Sequence, residues 1–159
     1  RQMCIRDSLL KSENPHILNI SPPLDMNPDW FSGHVAYSMA KFGMSLCVLG
    51  MAAEFKDDGI AVNALWPRTA IATAAVKNVL GGEQLVNISR GPEIMADAAY
   101  VILTKPSKEF SGNFCIDDTL LAENGVSDFS VYADVPFDQL APDFFVPEDM
   151  PPPEAAKKS

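Results

Sequence analysis

The sequence predicts an α/β protein built on a doubly wound parallel sheet, because short apolar runs alternate with long helical segments. Three observations carry this. Ile60-Ala-Val-Asn-Ala-Leu-Trp66 is a near-continuous apolar run rich in branched residues, the signature of a strand buried on both faces. His34 to Phe55 has helical propensity throughout, broken only by Gly43 and Gly50. Pro92 followed by Glu93, Ile94, Met95, Ala98, Val101 and Ile102 marks an amphipathic helix that stops before Pro106.

The remaining elements follow in order. His16 to Ser21 reads as a buried strand, preceded by the turn signal Glu13-Asn14-Pro15 and halted by Pro22-Pro23. Leu24 to Phe31 has a loop composition, and Ser32 is the predicted N-cap of the long helix, which ends at Lys56-Asp57-Asp58-Gly59. That helix is apolar nearly all round, so more than one of its faces needs covering. Thr69 to Leu80 reads as a helix or an ordered flap closed by Gly81-Gly82. Phe110 to Asn113 is a turn, and Phe114 to Ile116 a last short strand. Only three strands are visible, fewer than open sheets usually have, so N-terminal strands are read as missing. Residues 9–149 form the predicted partial domain. Arg1 to Ser8 reads as a foreign or artefactual start, and residues 150–159, rich in proline and charge, as a disordered tail.

Composition excludes several classes of function. The 159 residues are 47% hydrophobic, which suits one globular domain. A net charge of −9 offers no cationic cluster to displace counterions, so no nucleic-acid partner is expected. Cys4, Cys47 and Cys115 are scattered, which points to a reduced, cytoplasmic setting. The apolar stretch from Leu46 to Ala53 is too short to span a bilayer, and no secretory signal opens the chain. No metal is expected, since neither His16 nor His34 has a partner ligand at suitable spacing; both read as structural. Asp57-Asp58 and Asp117-Asp118 read as solvated turn carboxylates. Asp143-Phe144-Phe145 reads as aromatics that pin a terminal segment.

The sharpest chemical feature is Tyr37-Ser-Met-Ala-Lys41. Four residues on a helix stack the phenol and the ammonium on one face. A fixed cation nearby favours the phenolate, which makes such a tyrosine a candidate general acid/base. Lys41 also interrupts a helix read as buried all round, where a lysine needs a partner or a task.

Asn19-Ile-Ser-Pro-Pro23, Ala36-Tyr-x-x-Ala-Lys41, Ala64-Leu-Trp-Pro67 and Ser111-Gly-Asn113 together resemble the C-terminal half of the short-chain dehydrogenase/reductases, within them the hydroxysteroid dehydrogenase-like branch. The resemblance spans about Asn14 to Asp118. It implies the C-terminal portion of a Rossmann-like sheet and hydride transfer between NAD or NADP and an alcohol or carbonyl carbon. It further implies Tyr37 as proton donor or acceptor, and Lys41 as the group that tunes Tyr37 and holds the nicotinamide ribose. Ser21 would polarise the substrate carbonyl, although the family's serine sits one position later, at Pro22, which has no hydroxyl. After the strand the family has Pro-Gly, then an Ile and a Thr at the cofactor. This chain has Pro67-Arg68, and the implied cofactor contacts are Pro67, Thr69, Ile71 and Thr73, together with Tyr37 and Lys41.

The Gly-rich phosphate loop of the family does not occur in the sequence, so the chain is expected to be an inactive portion of a longer enzyme. Its expected substrate is a small, lipophilic alcohol or carbonyl compound, and its longer parent is expected to be a homo-oligomer. The alternative is a non-catalytic α/β interaction module that binds a partner through the apolar helix and keeps Tyr37 and Lys41 as structure.

Overall fold

A computed structural model describes residues 2–158. Arg1 and Ser159, the outer ends of the start and tail segments, lie outside the described residues, as do the side chains of residues 2–4, Cys4 included. The strands are β1 (His16–Ile20), β2 (Ala61–Trp66) and β3 (Phe114–Ile116), in the sheet order β1-β2-β3. β1 runs parallel to β2 in the register His16 to Ala61 through Ile20 to Leu65. Every residue of β2 is buried, as its unbroken apolar run predicts. β1 is an edge among the described strands: His16 to Asn19 are half-buried and Ile20 is exposed, a correction to the sequence reading of a buried strand.

The helices are α1 (Gln2–Leu9), α2 (Val35–Glu54), α3 (Gly82–Val86), α4 (Glu93–Thr104), α5 (Asp117–Glu123) and α6 (Glu154–Lys157). The chain divides into two compact units. One holds the chain up to Leu65 with Ile102–Cys115, and the other holds Trp66–Val101 with everything from Ile116 onward.

In the first unit Val48, Phe55, Ile60, Val62 and Ala64 form a buried cluster against which Leu9, Ile17, Met51 and Phe114 pack. Residues 2–9, read from sequence as a foreign start, are helical, and Arg6 forks onto Asp58 at 2.6 and 2.9 Å. Asn63 is the polar break in the buried strand. It donates to Phe110 O at 2.9 Å and accepts from the Asn113 amide at 3.0 Å, which fixes the turn before β3.

Two expectations about α2 change. Ser32 is not its cap: Gly33 adopts φ +78°, which turns the chain, and His34 takes the cap position without a side-chain bond. Nor is the helix buried all round. Its buried residues are Ser38, Phe42, Ser45 and Val48, while Val35, Met39, Leu46 and Leu49 are exposed. The hydroxyls explain the inversion, since Ser45 donates to Pro22 O at 2.6 Å and Ser38 to Trp30 O, tying the helix to the loop after β1. With 20 residues and a mean hydropathy of 1.4 over 18 of them, α2 is long and apolar enough to cross a membrane by length and composition. The reading of Leu46 to Ala53 alone misses this.

In the second unit the segment read as a helix or flap is neither over its first half. Thr69 bridges Pro142 antiparallel and Ile71 bridges Arg90 parallel, and a π-helical turn then covers Val76–Leu80. Residues 150–158, expected to be a disordered tail, are anchored at points: Ala156 is buried, and Met150 O accepts from Arg68 Nη1 at 2.7 Å, while Pro151, Glu154, Lys157 and Lys158 are exposed. Backbone carbonyls supply that anchorage, a signal that side-chain composition does not carry.

Candidate functional site

Ser21, Tyr37 and Lys41 lie in the first unit. β1 ends at Ile20, whose carbonyl accepts a hydrogen bond from Lys41 Nζ at 3.2 Å. The lysine therefore reaches across to the end of the strand, and Ser21 is the next residue. Ser45, one turn beyond Lys41, bonds the Pro22 carbonyl, and Asn19 donates to Met44 O at 3.3 Å. This segment is thus stitched to α2 at Asn19, Ile20 and Pro22. Ser21 itself is fully buried, and its Oγ has no hydrogen-bond partner. A buried hydroxyl left unsatisfied costs about 1–3 kcal/mol and marks a place where a partner is due. No hydrogen bond makes Ser21 a cap of the strand end. Pro22, at the position where the family carries its serine, instead offers its carbonyl to Ser45.

Tyr37 lies one turn before Lys41 on α2 and is 48% exposed. The premise that Lys41 interrupts a fully buried helix is withdrawn: Lys41 is half-buried, and its contact with Ile20 O, not burial, is what ties it to the strand end. Tyr132 offers a contrast. Its hydroxyl donates to Asp97 Oδ2 at 2.7 Å, and burial together with that carboxylate pushes its pKa up to about 12. Tyr132 is thereby held protonated, which suits a structural hydrogen bond and not proton shuttling near neutral pH.

The implied cofactor contacts other than Tyr37 and Lys41 lie in the second unit. Pro67 ends β2. Thr69 is buried with its Oγ1 unpartnered, and Ile71 is buried beside Arg90. Thr73 is exposed, and its hydroxyl accepts from the Val76 amide at 3.3 Å. Ala72, between Ile71 and Thr73, lines an open cavity of about 250 Å³ with Ser89, Gly91, Glu93, Tyr132 and Asp134. The two halves of the predicted residue set therefore fall in different units.

A buried ion cluster in the second unit escapes the sequence reading. Asp117 and Asp118, read as solvated turn carboxylates, are fully buried. Asp118 takes Arg68 Nε at 2.7 Å and Arg90 Nη1 at 3.2 Å. Asp117 Oδ1 accepts from the amides of Arg68 at 2.9 Å and Asp118 at 2.7 Å, while its Oδ2 is unpartnered. Burial, then the neighbouring Asp118, pushes the Asp117 carboxyl up to about 7. The available signal was Arg68 directly after a proline-ended buried strand, where an arginine must find an anion. Among the described residues no group of His, Cys, Asp and Glu is placed to hold a metal ion.

A pH dependence follows with a definite sign. In the unfolded chain the Asp117 carboxyl returns to about its reference value of 3.8, so between there and about 7 the folded state binds the extra proton. Stability from this group is full below the unfolded value and is lost as pH rises through the folded one. Urea unfolding should show stability falling over this window by at most about 1.4 kcal/mol per pH unit, and Asp117→Asn should flatten the fall. An unchanged slope in that variant would assign the dependence elsewhere.

No family model matches the chain. Hydroxysteroid dehydrogenase-like protein 2 of Danio rerio is 56% identical over 152 residues, covering 94% of this chain and 36% of the relative. That of Bos taurus is 59% identical over 140 residues, covering 88% and 33%. The chain thus spans about a third of the length of these curated relatives. A solved short-chain dehydrogenase from Mycobacterium thermoresistibile is 50% identical with a TM-score of 0.82, over 95% of this chain and 53% of that one. Over the residues it shares with them, this chain belongs to the short-chain dehydrogenase/reductase family, and its sheet is part of the Rossmann-like sheet of that family. Within the family it falls on the hydroxysteroid dehydrogenase-like branch.

Proposed function

We propose that the chain is the acid/base portion of an NAD(P)-dependent oxidoreductase that interconverts a lipophilic alcohol and its carbonyl compound. The observation that carries this reading is the end of β1. There a buried hydroxyl without a partner, Ser21 Oγ, follows the carbonyl that holds Lys41, one helical turn from an exposed phenol at Tyr37. A module that only bound a partner through α2 would give no reason for that arrangement.

A nicotinamide cofactor, when bound, supplies or accepts the hydride. The chemistry of the residues present suits such a group: Lys41 carries an ammonium with N–H donors, and Thr69 has a buried Oγ1 without a partner, the kind of group that meets a carboxamide. Tyr37 gives a proton to the substrate oxygen in reduction and takes it back in oxidation. The Lys41 charge stabilises the phenolate that remains. By the resemblance Ser21 would donate to the substrate oxygen and orient it, which requires its buried Oγ to become accessible when substrate binds. By the family resemblance, Pro67, Thr69, Ile71 and Thr73 would be the contacts to the nicotinamide. The glycine-rich turn and helix N-terminus that would take the pyrophosphate have no counterpart in this sequence, so the activity is proposed for a longer protein that contains them.

The exposed apolar residues of α2 support a homo-oligomer of that longer protein, with a second copy on Met39, Leu46 and Leu49. Lys41→Met in the longer protein should weaken NADH or NADPH binding roughly tenfold or more by calorimetry, since a charge-assisted contact is worth about 1.5–3 kcal/mol. Unchanged cofactor affinity would remove Lys41 from the site.

A further inference from the structure

We propose that the segment Leu140–Lys157 is a built-in clamp on the loop from Arg68 to Thr73, and that Arg68 is the positioning residue at its centre. The inference deepens the oxidoreductase reading, on which it rests for the statement that Ile71 and Thr73 face the nicotinamide.

Arg68 stands where the family has a glycine, and a glycine there would leave the loop without a side-chain anchor. Only 6% of Arg68 is exposed, and its guanidinium is committed on every side. Nε meets Asp118 at 2.7 and 2.8 Å, and Nη2 meets Thr119 Oγ1 at 2.8 Å. The remaining fork goes to the clamp: Nη1 donates to Met150 O at 2.7 Å and Nη2 to Pro151 O at 3.4 Å. The run Pro151-Pro152-Pro153 suits this role, because its residues have carbonyls but no N–H to compete for the guanidinium.

The backbone repeats the pattern. Asp143 N donates to Arg68 O and Ala70 N to Ala141 O, both at 2.9 Å. On its other side the loop exchanges bonds with Arg90, whose amide donates to Ala70 O and whose carbonyl accepts from Ala72 N, again at 2.9 Å. The loop is thus the middle segment of a short ladder with one outer rail supplied by the clamp. Trp66 closes it, donating from Nε1 to Phe144 O at 2.6 Å and packing on Phe145 at 6.0 Å between ring centroids. Phe145 is fully buried and adopts φ +69°, a conformation unfavourable for a non-glycine residue that persists only where surrounding contacts enforce it. A tail that merely rested on the surface would not hold such a residue.

The test has two readouts. In the 159-residue chain, ending the sequence before Met150 removes the two carbonyls but leaves the Arg68 pair with Asp118 intact, and Arg68→Lys removes the fork. In both, hydrogen exchange at the amides of Ala70 and Ala72 should accelerate about tenfold or more, while the amides of Ala61 to Leu65 keep their protection as a check on folding. In the longer protein the same changes should raise the KM for the nicotinamide cofactor more than they lower kcat. Unchanged exchange at Ala70 in the shortened chain would overturn the clamp. Faster exchange with an unchanged cofactor KM would overturn the positioning role and leave the Tyr37 and Lys41 reading standing, because that reading is tested by their own variants.

Discussion

Replacing Tyr37 by Phe in the longer enzyme should lower turnover by about 10²–10⁴-fold, because general acid/base help of that size is lost with the phenolic proton alone. The fold should not change. Tyr37 is 48% exposed, and the neighbouring Lys41 keeps its own anchor on Ile20 O. Cofactor affinity should also hold, since the phenol acts on the substrate oxygen, whereas Lys41→Met should lose it. The pair of variants therefore separates proton transfer from cofactor binding. Steady-state kinetics with either nicotinamide cofactor and a reducible lipophilic ketone gives the first number, and calorimetry the second. Turnover within a few-fold of the unsubstituted protein would remove Tyr37 from the chemistry.

The largest stability effect is expected at Asp118. Its carboxylate is fully buried between Arg68 and Arg90, whose side chains are almost as buried. Asp118→Asn keeps the shape but leaves two guanidinium charges in a low-dielectric interior without their anion. Breaking a buried pair in this way costs about 3–5 kcal/mol, a large share of the about 5–15 kcal/mol that holds a typical domain together. Arg90 already has one unpartnered nitrogen, Nη2, and stands 5.7 and 5.6 Å from the ring centroids of Phe129 and Phe137. The aromatic faces soften the loss without replacing a carboxylate. Chemical denaturation of the 159-residue chain should move to much lower urea. Asp58→Asn, which breaks the exposed pair with Arg6, should scarcely move it. Equal small effects from both substitutions would mean that the buried cluster does not bear on stability.

What could be read from the sequence follows a physical line. β2 and α4 are legible because burial imposes a pattern on consecutive side chains: an unbroken apolar run in one, a helical period after Pro92 in the other. Tyr37 and Lys41 are legible because a helix converts their spacing into shared direction. α2 misleads because hydropathy counts methionines and leucines as interior. Here Ser38 and Ser45 face inward on carbonyls of the β1 loop, while Met39 and Leu49 face out. The Arg68, Arg90, Asp117 and Asp118 cluster is invisible for another reason. Arg68, Arg90 and the Asp117-Asp118 pair are about 20 to 50 residues apart in sequence, joined only by the return of the chain, and long-range ion pairs leave no local period. The packing of 150–157 is hidden likewise, since it rests on main-chain carbonyls and on Ala156.

On the proposed function, this chain carries the acid/base and nicotinamide end of a dinucleotide enzyme, with the phosphate-binding end supplied by residues outside its sequence. Calorimetric titration with NADH and NADPH, on the 159-residue chain beside a version extended upstream by the missing strands, tests that claim most directly. The extended protein should bind one of the two at micromolar concentration, and the 159-residue chain should bind neither, because the backbone N–H groups that hold a pyrophosphate belong to a Gly-rich turn that its sequence lacks. Micromolar binding by the 159-residue chain alone, or none by the extended protein, would contradict the account.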